Sequence, residues 1–257
     1  MTLLVRLKSA ARKAALHLAV SSVVAALVAL VVLKLWYPAP YDHLSSGRSL
    51  LFLLILVDIA CGPLLTLLVF NPEKSKFKWR VNLAVIVALQ LSALSYGLHT
   101  SATARPVFLA FESNRFRVVQ ANDVDPKRLK EARPEFATLS LKGPRLVGVR
   151  LAQPTDADFP ASIQLAMNGL PPAFRPARWL PYPEQQGQVL KELKPLSELR
   201  AKNPGKSFEI DRMVRAGDIE ENQLGYLPLV NDEKNDWVVV VSRHDALPRA
   251  YLHIDGW

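Results

Sequence analysis

The chain has 257 residues with 32 Lys+Arg against 23 Asp+Glu, a net charge of +9, and room for one large domain or two small ones. Residues 1–99 carry 10 of the basic and 3 of the acidic residues, a balance of +7, which leaves 22 against 20, or +2, for residues 100–257. The excess charge therefore does not describe a nucleic-acid binder, which needs its basic residues clustered on one folded face.

Taken in order, Arg6, Lys8, Arg12 and Lys13 precede a first apolar stretch, Leu16 to Tyr37. Two more follow, Ser49 to Phe70 and Val81 to Leu98. Each runs about 18–22 residues, the length a helix needs to cross a bilayer core, so residues 1–99 are predicted to form three transmembrane helices. The first stretch ends in Lys34, Trp36 and Tyr37, a snorkelling cation and interfacial aromatics. It is longer than the roughly 7–15 residues of a signal-peptide core, so it reads as an uncleaved anchor. Between spans two and three, Lys74, Lys76, Lys78 and Arg80 face only Glu73, whereas the loop Pro38 to Arg48 offers only Asp42 and Arg48. Lys and Arg accumulate in cytoplasmic loops. The predicted orientation places the amino terminus in the cytoplasm and residues 100–257 on the far side of a bacterial inner membrane, in the periplasm.

Beyond Thr100 the pattern is that of an α+β domain, and its strands are expected to form an antiparallel sheet. Val107 to Phe111 and Arg115 to Val119, joined by Glu112, Ser113 and Asn114, read as a hairpin. Asp125 before Pro126 signals a helix start that Pro134 stops. Leu146 to Leu151 reads as a strand and Asp156 to Met167 as a helix ended by Asn168-Gly169. Pro171, Pro172, Pro176, Pro181 and Pro183 predict an extended connection pinned by Phe174, Trp179 and Tyr182. Helices are expected over Glu184 to Arg200 and Lys206 to Arg215, then strands over Gln223 to Val230, Trp237 to Arg243 and Ala250 to Ile254. The single cysteine, Cys61, lies in the second span, so no disulfide staples this domain.

Catalytic patterns are scarce. Gly205-Lys206-Ser207 imitates the end of a phosphate loop, but Arg200 stands where its first glycine belongs. Ser75 and Lys78 share the spacing of a nucleophile pair but sit in a short basic loop. His244 and His253 lack neighbours at metal-ligand spacing. No metal site, cofactor or enzyme activity is expected.

The polar residues that require explanation lie in the spans. A charged carboxylate at the middle of span two costs about 3 kcal/mol or more in lipid, so Asp58 is expected to face protein or meet a partner. Ala60, Cys61 and Gly62 are small, and Pro63 frees a carbonyl that Thr66 or a neighbouring helix can satisfy. In span three Asn82, Ile86, Gln90, Ala93 and Gly97 fall on one stripe. Three readings stay open: packing of the spans against each other, a groove for another transmembrane helix, and a proton relay.

The run Asp58 to Lys74 (DIACGPLLTLLVFNPEK), with Gln90-Leu91, Tyr96-Gly97, Arg105-Pro106-Val107 and Phe111 to Asp123 (FESNRFRVVQAND), resembles the type IV pilin accessory proteins of the TfpX/TfpZ group across about residues 50–125. Asn82 stands where that group is expected to carry Asp. The resemblance implies an inner-membrane, pilin-specific accessory protein or chaperone that stabilises a type IV major pilin and promotes its assembly, with other pilus inner-membrane components as further partners. It also implies partner-binding roles for Asp58, Gly62, Pro63, Thr66, Asn82, Gln90 and Gly97 in the membrane, and for Arg105, Pro106, Phe111, Arg115 and Phe116 outside it. The alternatives are a membrane-anchored periplasmic enzyme acting on pilin or envelope components, and an envelope sensor.

Overall fold

The computed structural model describes residues 3–44, 47–70, 75–217, 219–231 and 234–257. The chain divides into two compact units, Met1–Arg105 and Pro106–Trp257.

The first unit is helical. Helix α1 (Leu3–Val31) continues into a wide π turn, Val32–Trp36, closed where the Tyr37 N–H donates to the Val32 carbonyl at 2.9 Å. A short helix α2 (Tyr41–Leu44) leads to α3 (Gly47–Val69), which runs through Pro63 without ending. Helix α4 (Lys76–Thr103) starts where the Ser75 hydroxyl accepts the Lys78 N–H at 3.3 Å. That cap accounts for the serine–lysine spacing, and it makes the basic turn before Val81 part of the helix.

Two segments, Lys8–Trp36 and Lys76–Thr103, are long and apolar enough to cross a membrane, while the described apolar part of α3, Ile55–Val69, is shorter. Leu27, Leu30, Leu68 and Leu89 are each more than half exposed. Such outward-facing apolar side chains, on the two longer segments, suit a bilayer span by length and composition.

The second unit is built on one seven-stranded sheet in the order β4-β3-β1-β2-β5-β6-β7. Strands β1 (Pro106–Glu112) and β2 (Arg115–Gln120) form the expected hairpin, pairing Phe111 with Phe116 and turning through Ser113 at a φ of 63°. Strand β3 (Arg145–Val149) lies parallel to β1, and β5 (Leu224–Asn231) lies parallel to β2. The remaining pairs, with β4 (Trp179–Pro181), β6 (Lys234–Ser242) and β7 (Pro248–Leu252), are antiparallel. The sheet is therefore mixed, which corrects the expectation of an antiparallel one. The hairpin occupies the centre, and long crossing connections bring each flanking strand in parallel to its neighbour.

Helix α5 (Phe159–Met167) ends at Gly169, whose φ is +82°. The proline-rich stretch is not wholly extended: it contains two 3₁₀ turns and the edge strand β4, a position that tolerates proline, and it ends in a third 3₁₀ turn at Tyr182–Gln185. One helix was expected over Glu184 to Arg200, but two form, α6 (Gln186–Glu192) and α7 (Leu196–Lys202). Between them Lys194 exchanges both backbone hydrogen bonds with Tyr226, and Pro195 bars continuation. Helix α8 (Ser207–Ala216) follows.

Two apolar clusters hold the unit together. In one, Phe108 packs on Trp179 at 4.7 Å between ring centroids and on Phe136 at 5.9 Å. In the other, Leu199 and Ile210 pack on Tyr226, Val238 and Val240. Burial, with Glu198 nearby, pushes the Tyr226 phenol up to about 12.

Candidate functional site

The predicted membrane site takes shape around a histidine. Helix α3 packs on both α1 and α4. The contacts His17–Gln90 and Tyr37–Ser101 follow the same order along α1 and α4, so these two helices run parallel. His17 of α1 lies 2.6 Å through Nδ1 from the Thr66 hydroxyl of α3, and 2.8 Å through Nε2 from Gln90 Oε1 of α4. A neutral imidazole satisfies both contacts, accepting from Thr66 and donating to Gln90. Three helices are thereby tied at one residue.

Gly62 forms the wall behind Gln90: a Cβ at this position would lie 2.2 Å from Gln90 Nε2. Small residues let membrane helices approach closely enough for such bonds. Alongside the polar knot, whose His17, Thr66 and Gln90 form part of its lining, α1 and α4 leave a groove of about 370 Å³. Lys13, Val20 and Val24 line it from α1, and Trp79, Leu83, Val87, Leu91 and Leu94 from α4.

The structure thus brings together Gly62, Thr66 and Gln90 among the predicted membrane residues. Thr66 is spent on His17 rather than on the carbonyl freed by Pro63, which is buried beside it. Asn82 and Gly97 are half-buried on α4, two turns before Gln90 and two after it. The stripe departs from its predicted line at one position, because Ala93 is exposed and Leu94 is buried. Asp58 is on α3 one turn before Gly62, and its side chain lies outside the described residues.

His17, Lys13, Ser21 and Trp79 were missed in the sequence. The signal was present, since Lys13, His17 and Ser21 recur every fourth residue and so share one helix face.

In the sheet domain, Phe111 and Phe116 are 1% and 0% exposed, with ring centroids 5.6 Å apart. The hairpin register turns them into its core, which corrects their assignment to a partner-facing surface. Pro106 is also buried, at the start of β1. The Arg115 guanidinium lies over the Trp257 ring at 5.2 Å, and Arg105 Nη1 donates to the Ala102 carbonyl at 2.5 Å.

Glu112, 4% exposed, accepts from Arg117 Nε and from the Ala173 N–H, each at 3.0 Å. His253 pairs with Asp236 at 2.7 Å and stacks on Trp237. No hydroxyl or thiol bonds to that ring among the described residues. The described residues also contain no group of three His, Cys, Asp or Glu placed to hold a metal.

Comparison with known proteins bears on both units. The family model for the fimbrial assembly protein FimB matches residues 5–46, the segment that holds Lys13 and His17. The fimbrial assembly protein of serogroup I from Dichelobacter nodosus is 30% identical over 249 residues, 96% of each chain. The chain belongs to the fimbrial assembly protein family.

A second member, from serogroup E1 of the same organism, is 29% identical over 249 residues and again 96% of each chain. A third, from serogroups C1 and C2, is 36% identical over 123 residues, 48% of this chain and 94% of that relative. No solved structure matches this member of the family. The expected kinship with type IV pilus accessory proteins holds, and its family signature lies nearer the amino terminus than the run from Asp58 that first carried the resemblance.

Proposed function

We propose that this fimbrial assembly family member is an inner-membrane chaperone dedicated to one type IV pilin, acting by binding rather than by catalysis. The observation that carries the reading is the likeness to fimbrial assembly proteins along 96% of both chains, through the helical unit and the sheet domain alike. In this reading α1, α3 and α4 all cross the membrane, with the basic segments around Lys13 and Lys78 in the cytoplasm and the sheet domain in the periplasm. The pilin's apolar helix packs against α3 and α4, and the sheet domain meets its globular head. The polar knot around His17 supports this by fixing the helices to one another, so that their outer faces form a prearranged surface.

The test is site-specific crosslinking from α3 in cells that make the cognate pilin. Wild-type protein should give a pilin adduct, and Asp58→Leu should stay abundant while losing the adduct and surface pili. Deleting the gene should remove cognate pili and leave an unrelated pilin assembling normally. Equal loss of both pilins would replace this reading with a general machinery component.

A further inference from the structure

The groove between α1 and α4 has a built polarity that the packing of the spans does not use. Its first residues on the two parallel helices are Lys13 and Trp79, and from there it runs between mainly aliphatic side chains, past the polar knot at mid-length, to Val24 and Leu94. Lys13 has no carboxylate or hydrogen-bond partner among the described residues. Of the acids in the helical unit, Asp42 lies in the short helix beyond the other end of α1, and the side chains of Asp58 and Glu73 lie outside the described residues. Lys13 is exposed at the mouth of the groove, where its ammonium can meet a negatively charged headgroup.

The length of the groove identifies that partner. From Trp79 to Leu94 a helix rises about 22 Å, roughly half the 40–45 Å of a bilayer with its headgroups. The groove is one leaflet deep. A transmembrane helix would extend far past it, whereas a phospholipid would fill it from headgroup to chain end. Tryptophan at the headgroup level and a basic residue at the mouth of an interhelical cleft are the features by which membrane proteins hold acidic lipids.

We infer that this groove is a binding site for an anionic phospholipid of the leaflet on the Lys13 side, with the phosphate at Lys13 and an acyl chain against Leu83, Val87 and Leu91. The site goes beyond the assembly role and holds whichever client the protein serves. His17 is not the phosphate ligand, because Thr66 and Gln90 already occupy both of its ring nitrogens.

The test uses full-length protein, delipidated in a mild detergent and titrated with phosphatidylglycerol or phosphatidylethanolamine of identical chains, read by native mass spectrometry. Phosphatidylglycerol should be retained in preference. Lys13→Gln should weaken its retention about fivefold, the effect of one basic residue near a membrane surface, and Lys13→Arg should restore it. Val87→Trp, which fills the groove, should abolish retention while the protein keeps its elution profile. Equal retention of the two lipids, or retention indifferent to both Lys13→Gln and Val87→Trp, would overturn the proposal. A photocrosslinker at Leu83 in cells adds a second arm: a lipid adduct supports the site, and an adduct to a protein alone would assign the groove to a partner helix and sink it.

Discussion

The sharpest expectation at the residue scale concerns Gly62 and Gln90. A methyl group at Gly62 would lie 2.2 Å from Gln90 Nε2 and 2.6 Å from Cδ, so Gly62→Ala must push the amide away and break its 2.8 Å contact with His17. The end of the side chain is flexible, so the steric cost is small. What is lost is an interhelical hydrogen bond, about 1 kcal/mol in a membrane protein. Gly62→Ala and Gln90→Ala should each lower the thermal stability of the detergent-solubilised protein by about that amount, and the double variant should be no worse than Gln90→Ala alone. Additive losses would show that Gly62 matters for another reason. The residues of this site were half legible in the sequence. Gly62, Thr66 and Gln90 stood out because polar and small groups in a span ask for a partner, but the partner on α1 did not. Periodicity reveals which side chains share a face of one helix; it carries nothing about the offset between helices, and that offset joins His17 to residues 49 and 73 positions away.

At the scale of elements, the strands were readable and their neighbours were not. The hairpin at Pro106–Gln120 and the strands near the carboxyl terminus follow from local alternation and turn residues. Which strand lies beside which depends on tertiary packing, so the mixed order escaped, as did β4 inside a proline-rich stretch. The break between α6 and α7 escaped for a related reason: Lys194 is held by Tyr226, a strand residue 32 positions on. Glu112 is the element-scale test. It ends β1, pairs with Arg117 of β2, and accepts the Ala173 N–H, so one carboxylate joins the central hairpin to the proline-rich segment. Glu112→Ala leaves a half-buried guanidinium and a buried amide without their acceptor and should cost about 2–4 kcal/mol in the denaturant unfolding of the sheet domain. Glu112→Gln, which still accepts, should cost less. A loss under about 1 kcal/mol for the alanine variant would mean that water replaces the carboxylate there.

Two units were foreseen for the whole molecule, with a division at residues 99 and 100; the compact units meet at Arg105 and Pro106, because α4 runs on to Thr103. The proposed orientation is tested by alkaline phosphatase fusions, active after Trp257 and inactive after Lys76, and the reverse pattern would refute it. The order of the sheet also has a consequence for how the chain is made. Synthesis delivers the central hairpin β1–β2 first, but its flanks are completed only by Arg145–Val149 on one side and by Leu224–Asn231 on the other. Until the first of these emerges, the middle of the future sheet is a two-stranded ribbon with two open edges, and until the second emerges the β2 edge stays unpaired, a form exposed to wrong pairing and to proteases. Folding governed by contacts so distant along the chain is slow. The newborn domain therefore passes through a stretch of its life with that edge uncovered, and a stop codon before Leu224 should leave a product that is degraded rather than a smaller working protein.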